Sequence, residues 1–173
     1  MELIAYATQK NLYDKSMPLI FSKPKMKKWA SIGGLYMIFS FNPIINNDSK
    51  ILILGTIPGA ESIKKNSYYA NEKNHFWQII YAVFNSTPDK TYQERCNFLL
   101  NNKIAIWDVL HNADRNGSLD TNIKNGIPND FDEFLSLYAN IRKIIFNGTK
   151  AESLFKKHFK NIYCSFECLT VPS

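Results

Sequence analysis

Ile51-Leu52-Ile53-Leu54, running into Gly55-Thr56-Ile57-Pro58-Gly59, is the stretch on which the fold turns. Four consecutive apolar residues offer no polar face to solvent, so the run suits a strand covered on both sides, as in a parallel sheet. Gly55 ends it. The loop that follows is bounded by two glycines, which allow backbone conformations and close approaches that a Cβ would block. Ile104-Ala105-Ile106-Trp107, Lys143-Ile144-Ile145-Phe146 and Asn161-Ile162-Tyr163-Cys164 repeat the short apolar form. Helical patterns separate the four runs. Right-handed crossovers then give an α/β fold, a three-layer α/β/α domain with a central, mainly parallel four-stranded sheet. The active crevice is expected at the strands' carboxyl ends.

The helices have identifiable starts. Asn74 precedes Phe76, Trp77, Ile80, Val83 and Phe84, whose spacing makes one apolar face, so Phe76 and Trp77 read as core. Thr91 with Glu94 and Thr149 with Glu152 have the spacing of a capping box. Asn129 and Asp130 open a short helix through Leu137. Neither an internal repeat nor a low-complexity tract interrupts this order.

A chain of 173 residues, 45% hydrophobic and 14% aromatic, fits one compact domain with a sizeable core. The longest apolar candidate, Ile32 to Phe41, is too short for a bilayer and contains Gly33, Gly34 and Ser40. No membrane partner is expected. An acid follows Met1 where a secretory signal would be basic, so the expected compartment is cytoplasmic. Cys96, Cys164 and Cys168 are an odd number and read as reduced thiols. With His75, His111 and His158 scattered, no metal-ligand spacing emerges, and no cofactor is expected.

The net charge of +6 invites a nucleic-acid reading, but its location matters. Residues 1–36 hold six lysines against Glu2 and Asp14, a net of +4; the remaining 137 residues carry only +2. With Pro18, Pro24 and Gly33-Gly34 and no sustained period, residues 1–36 read as a basic extension, and residues 37–173 as the domain proper. Lysines of the extension are candidates for phosphate contacts.

Gly55 to Gly59 is neither a dinucleotide fingerprint nor a phosphate loop, and alone it is compatible with an ordinary strand-to-loop turn. Its sequel is more specific. Five ordered blocks, Ile51 to Gly59, Tyr68 to Trp77 (YYANEKNHFW), Ile106 to Leu110 with Arg115 to Asp120, Ile144 to Ala151, and Val171-Pro172-Ser173, resemble the uracil-DNA glycosylase superfamily. Within it the chain is most similar to the hypoxanthine-DNA glycosylase family. The resemblance covers about 135 residues.

That resemblance implies a monofunctional DNA glycosylase that flips a deaminated base out of DNA and hydrolyses its N-glycosidic bond without a metal. The transition state is oxocarbenium-like, so one water must be oriented and the departing base stabilised. In the mismatch-uracil family an asparagine in the first loop does this; here Ile57 stands at the matching position. The hypoxanthine family shares that departure, and Asn74 is the position that matches its downstream catalytic asparagine. An asparagine offers donor and acceptor without titrating, so it can fix a water but not act as a strong base. Helix capping is the competing, and compatible, role for Asn74.

Tyr69 matches the aromatic that stacks on the extruded base, with Tyr68 its competitor and loop packing the bland alternative for both. Gly55, Thr56, Ile57, Pro58 and Gly59 would border the base pocket, with Asn71 adding a polar contact. Asn147, Gly148 and Lys150 stand at a helix entry whose backbone donors suit a DNA phosphate, with a simple helix entry the equal alternative, and the resemblance makes Pro172 and Ser173 of the terminal block DNA-binding candidates. Asp108, Arg115, Ser118 and Asp120 receive no chemical role beyond a surface ion pair. Family members continue past the proline-serine loop into a second motif that wedges the duplex. A sequence stopping at Ser173 implies either a shortened chain or easier action on single-stranded or mismatched DNA. The expected partner is DNA bearing a deaminated base, the expected assembly a monomer. Uracil or mismatched thymine are the alternative substrates, and a catalytically silent nucleic-acid-binding module the alternative class.

Overall fold

The computed structural model describes residues 36–115 and 122–173. The segment before Tyr36, with its lysines, lies outside the described residues, as do Ser118 and Asp120. Strand β2 (Ile51–Gly55) sits at the centre of a parallel sheet of order β3-β2-β6-β7, with β3 at Ile104–Asp108, β6 at Lys143–Asn147 and β7 at Glu167–Val171. Alternate side chains of β2 take opposite faces, as the pleat requires. Ile53, with Ile104 and Ile106, packs under Phe76, Trp77 and Tyr81 of α2 (Phe76–Val83) and Cys96, Leu99 and Leu100 of α3 (Tyr92–Asn101). Leu52 and Leu54, with Ala105, Ile144 and Phe146, pack under Phe131 and Phe134 of α4 (Phe131–Leu137) and Ala151 and Phe155 of α5 (Thr149–His158). Two cores on one sheet make the expected three layers.

Two strand assignments need correction. Asn161 to Cys164 is helical, within α6 (Lys160–Ser165), and the fourth parallel strand is Glu167–Val171, paired with β6. A short apolar run cannot be told from a buried helical turn by periodicity; Ile162 and Tyr163 lean on the core from a helix. Glu167-Cys168-Leu169-Thr170-Val171 is an edge strand, half exposed along its length, with Glu167 ion-paired to Lys143 of β6. The second change is an added sheet. Strands β1 (Tyr36–Phe39), β4 (Leu110–Arg115) and β5 (Ile123–Pro128) form an antiparallel sheet of order β1-β4-β5. β4 starts two residues after β3 ends; Val109 N donates to Gly55 O at 2.8 Å and Leu110 N to Thr56 O at 3.1 Å.

Helix entries divide likewise. The Thr91–Glu94 capping box forms in full: Glu94 N donates to Thr91 Oγ1 at 3.2 Å and Thr91 N to Glu94 Oε2 at 2.9 Å. Asp130 caps α4 through Glu133 N at 3.0 Å. At α5 the expected box is absent. Gly148, at φ 105°, turns the chain one residue before Thr149, which becomes the first helical residue. Glu152 then lies a residue too far along for the box and binds Lys156 at 2.9 Å and the Tyr163 hydroxyl at 2.9 Å. The apolar stripe after Asn74 is shorter than expected, because α2 ends at Val83 and leaves Val83 69% and Phe84 38% exposed. All three cysteines are free, and burial pushes the Cys96 thiol up to about 11. No helix among the described residues is long and apolar enough to cross a membrane.

Phe155 is fully buried against Phe131, Phe146 and Phe159. Phe155→Ala should therefore lower the unfolding free energy by about 3–5 kcal/mol in urea titrations. The Thr91 hydroxyl, and then its N–H, hold the Glu94 carboxyl below its ordinary value. A folded pKa below the unfolded one contributes stability that is present above the unfolded pKa and lost as pH falls through the folded one. Thr91→Ala should thus lower the urea midpoint at pH 7, and the gap to wild type should narrow in acid to the part due to the lost bond from Glu94 N to the Thr91 hydroxyl; a gap independent of pH would contradict the carboxylate half of the box.

Candidate active site

The carboxyl ends of the parallel strands open on a cleft of about 240 Å³. Strand order reverses between β2 and β6, the place where open α/β sheets leave a crevice for ligands. β2 delivers Gly55 and the loop Thr56-Ile57-Pro58-Gly59, after which α1 (Ala60–Lys65) begins. Gly59 is the residue before that helix, extended at φ −73°, and Ser62 of α1 also lines the cleft. Across the sheet, β3 delivers Asp108 and β6 delivers Asn147; Asp108 is the register partner of Gly55. Arg115, at the end of β4, reaches in from the antiparallel sheet and donates to the Pro58 carbonyl.

The aromatic wall comes from the segment between α1 and α2. Tyr69 sits in the left-handed region at φ 54°, with its ring stacked on Phe76 at 3.7 Å and 14°. One face is taken, so a base can stack only on the opposite one. Tyr68 is 3% exposed, meets Phe41 edge-on at 5.1 Å, and sends its hydroxyl to the carbonyls of Phe41 and Asn42 at 3.4 Å. Burial first, then the Asp108 carboxylate, pushes its phenol well above the ordinary value, so Tyr68 remains a neutral donor. Of the two tyrosines, Tyr68 is fixed in the core and Tyr69 is the half-buried one.

Asn74 is half-buried and lines the cleft. Its Oδ1 accepts from Phe76 N at 2.8 Å, while His75 occupies the cap position of α2 without a side-chain bond. The carboxamide therefore steadies the helix entry through its oxygen; its two N–H donors and second lone pair are not used by that bond. Asn71, exposed at the rim, accepts from Lys73 N at 2.9 Å through Oδ1, and its carbonyl accepts from Asn74 N at 2.9 Å. The turn sets where Asn74 points.

The structure brings Gly55, Thr56, Ile57, Pro58, Gly59, Tyr69, Asn71, Asn74, Asn147 and Ser173 to this one cleft. Lys150 and Pro172 are exposed and stand outside the lining. Gly148 is buried, its N–H donates to Val171 O at 2.9 Å, and a Cβ on it would lie 3.0 Å from Ser173 Oγ. That donor is spent on β7, so it is not one that a phosphate at this helix entry could use. Asp108 and Arg115 were expected at the surface; both are 3% exposed and both line the cleft. Composition gives no hint of their burial. The position of Asp108 at the carboxyl end of an apolar strand was the available signal, since that is where α/β sheets place ligand-binding groups.

Residues 43–172 match the description of the uracil DNA glycosylase superfamily. Proteins named hypoxanthine DNA glycosylase from Methanosarcina acetivorans and Methanosarcina barkeri are each 37% identical over 112 residues, 64% of this chain and 71% of theirs. A solution structure from Methanosarcina acetivorans, described as a candidate uracil DNA glycosylase, superposes with a TM-score of 0.70 at 31% identity, covering 79% of this chain and 84% of that one. With a match over most of its length and a cleft at the same edge of the sheet that the fold dictates, this chain belongs to the uracil DNA glycosylase superfamily.

Proposed function

We propose that the chain is a monofunctional DNA glycosylase that releases hypoxanthine from DNA. The observation that carries the reading is the convergence of Tyr69, Asn74 and the Gly55 to Gly59 loop on one small polar cleft. The names of the two Methanosarcina relatives support hypoxanthine as the base. A cleft of about 240 Å³ is below the roughly 300–1,000 Å³ of drug-sized pockets and suits one planar ring system.

In this reading the extruded base stacks on the Tyr69 face turned away from Phe76. The Asn74 carboxamide orients a water toward the sugar carbon. The water oxygen bonds to that carbon as the bond to the base breaks; the bonding pair leaves with the base, and one proton of the water ends on the base. Negative charge grows on the departing base. The Arg115 guanidinium, buried in the same cleft and held by the Pro58 carbonyl, is preorganised to stabilise it. The carboxamide itself does not titrate, so it positions the water and takes no proton.

Excision from inosine-containing oligonucleotides, read as strand scission after alkali, tests the activity; no scission at enzyme excess would leave the silent-binding alternative. Uracil and mismatched thymine in the same sequence rank the substrates. Asn74→Ser keeps an oxygen for the Phe76 N–H and should fold normally, yet lower single-turnover excision by about 10²–10³-fold. Gly55→Ala would put a methyl 3.0 Å from Asp108 Oδ1 and 3.3 Å from the Tyr69 hydroxyl. Both neighbours are held in place, so excision should fall by roughly tenfold or more, because small misplacements of bound substrate are amplified in the rate.

A further inference from the structure

Tyr69, on the wall of the cleft, is an aromatic residue at φ 54°. That left-handed region is uncommon for a bulky side chain, and a residue persists there only where its surroundings over-determine it. The conformation has a geometric use. Consecutive side chains of an extended segment point to opposite faces, whereas the Tyr68 and Tyr69 rings lie side by side with centroids 6.3 Å apart. Tyr68 enters the core, and Tyr69 is turned back to lie flat on Phe76.

The peptides on either side of Tyr69 are held by different helices. After it, Ala70 N donates to Ser62 Oγ of α1 at a long 3.4 Å. Before it, Tyr68 O accepts from Trp77 Nε1 of α2 at 3.1 Å, and Tyr68 N donates to the Tyr92 hydroxyl of α3 at 3.1 Å. Tyr92 stands outside the cleft lining. It is the first residue of α3, placed by the Thr91–Glu94 box, and its ring meets Trp77 edge-on at 6.1 Å. The Cys96 thiol, one turn along α3, pairs with the same hydroxyl. Burial first, then Cys96, pushes the Tyr92 phenol well above its ordinary value, so it stays a neutral hydroxyl able to accept from Tyr68 N.

Resting on the glycosylase reading, in which the base stacks on Tyr69, we propose that Tyr92 is a positioning residue for that stacking: by holding Tyr68 N–H, its hydroxyl keeps Tyr69 in the left-handed conformation that lays the ring on Phe76. Without that bond, Tyr69 relaxes toward the negative-φ regions that L residues prefer, which swing the ring off Phe76. A wall set before the base arrives needs no ordering when the base stacks. The helix start fixed by Thr91 and Glu94 thus reaches the site through one hydroxyl and one amide.

Tyr92→Phe deletes that oxygen and keeps the ring against Trp77, so the variant should fold. Ring-current shifts of Tyr69 in NMR spectra report its stack on Phe76 without any substrate, and in Tyr92→Phe the Tyr69 ring resonances should move toward unstacked values. Single-turnover excision of hypoxanthine should fall by about tenfold, the scale of a hydrogen bond lost with its donor left buried. In a Tyr69→Ala background the same substitution should change excision by less than about twofold, because the ring through which Tyr92 acts is gone. Unmoved Tyr69 resonances, or an equal loss of excision with and without the Tyr69 ring, overturns the role of Tyr92 alone. Should Tyr92→Phe not fold, amide exchange of wild type serves: Tyr68 N–H should be protected, and exchange as fast as an open loop amide overturns the role. No release of hypoxanthine by wild type overturns the glycosylase reading, and the resonances still decide whether Tyr92 holds Tyr69.

Discussion

The close approach over Gly55 is the constraint around which the site is arranged. The central strand must end there without a side chain, because the Asp108 carboxylate and the Tyr69 hydroxyl both reach across that point. Asp108 can stand beside it because β3 pairs with β2 in exact register up to Gly55. The hydrogen bonds from Val109 to Gly55 and from Leu110 to Thr56 carry the pairing on into the loop. The loop backbone is thereby tied to the sheet, which lets a run of irregular residues act as a rigid wall.

Rigidity on the other sides has separate sources. Tyr69 lies against Phe76, and Phe76 is core, so the aromatic wall is backed by the hydrophobic packing of α2. Trp77 donates to the Tyr68 carbonyl at 3.1 Å and the Tyr92 hydroxyl accepts from Tyr68 N at 3.1 Å, fixing the backbone just before Tyr69. Arg115 reaches the cleft only because the antiparallel sheet brings the end of β4 alongside the loop. Preorganised polar groups in a partly desolvated cleft interact more strongly with developing charge than they would in water.

Much of this was legible from local pattern. The two-faced burial of β2 follows from four apolar residues in a row, and the three layers follow from alternating such runs with helices. Thr91 and Glu94 announced a helix start that forms as expected, because both partners of that box are three residues apart and need nothing else. Thr149 and Glu152 have the same spacing, yet Gly148 and its contact with β7 shift the helix start by a residue. Asn161 to Cys164 looked like a strand since apolar content alone does not distinguish it from a helical turn against a core.

What the sequence by itself determined is the α/β architecture, the loop after the central strand, and the segment that supplies Tyr69 and Asn74. The architecture and the loop rest on short-range periodicity and on glycine, readable within a few residues, whereas Tyr69 and Asn74 were singled out by the resemblance to a known family. The tertiary structure alone decided that Asp108 and Arg115 are buried and line the same cleft. It also decided that Tyr36 to Phe39 pairs with Arg115 to Asn112. Polar side chains carry no local signal of burial, and antiparallel pairing between segments far apart in the chain is set by what remains uncovered once the parallel sheet has formed.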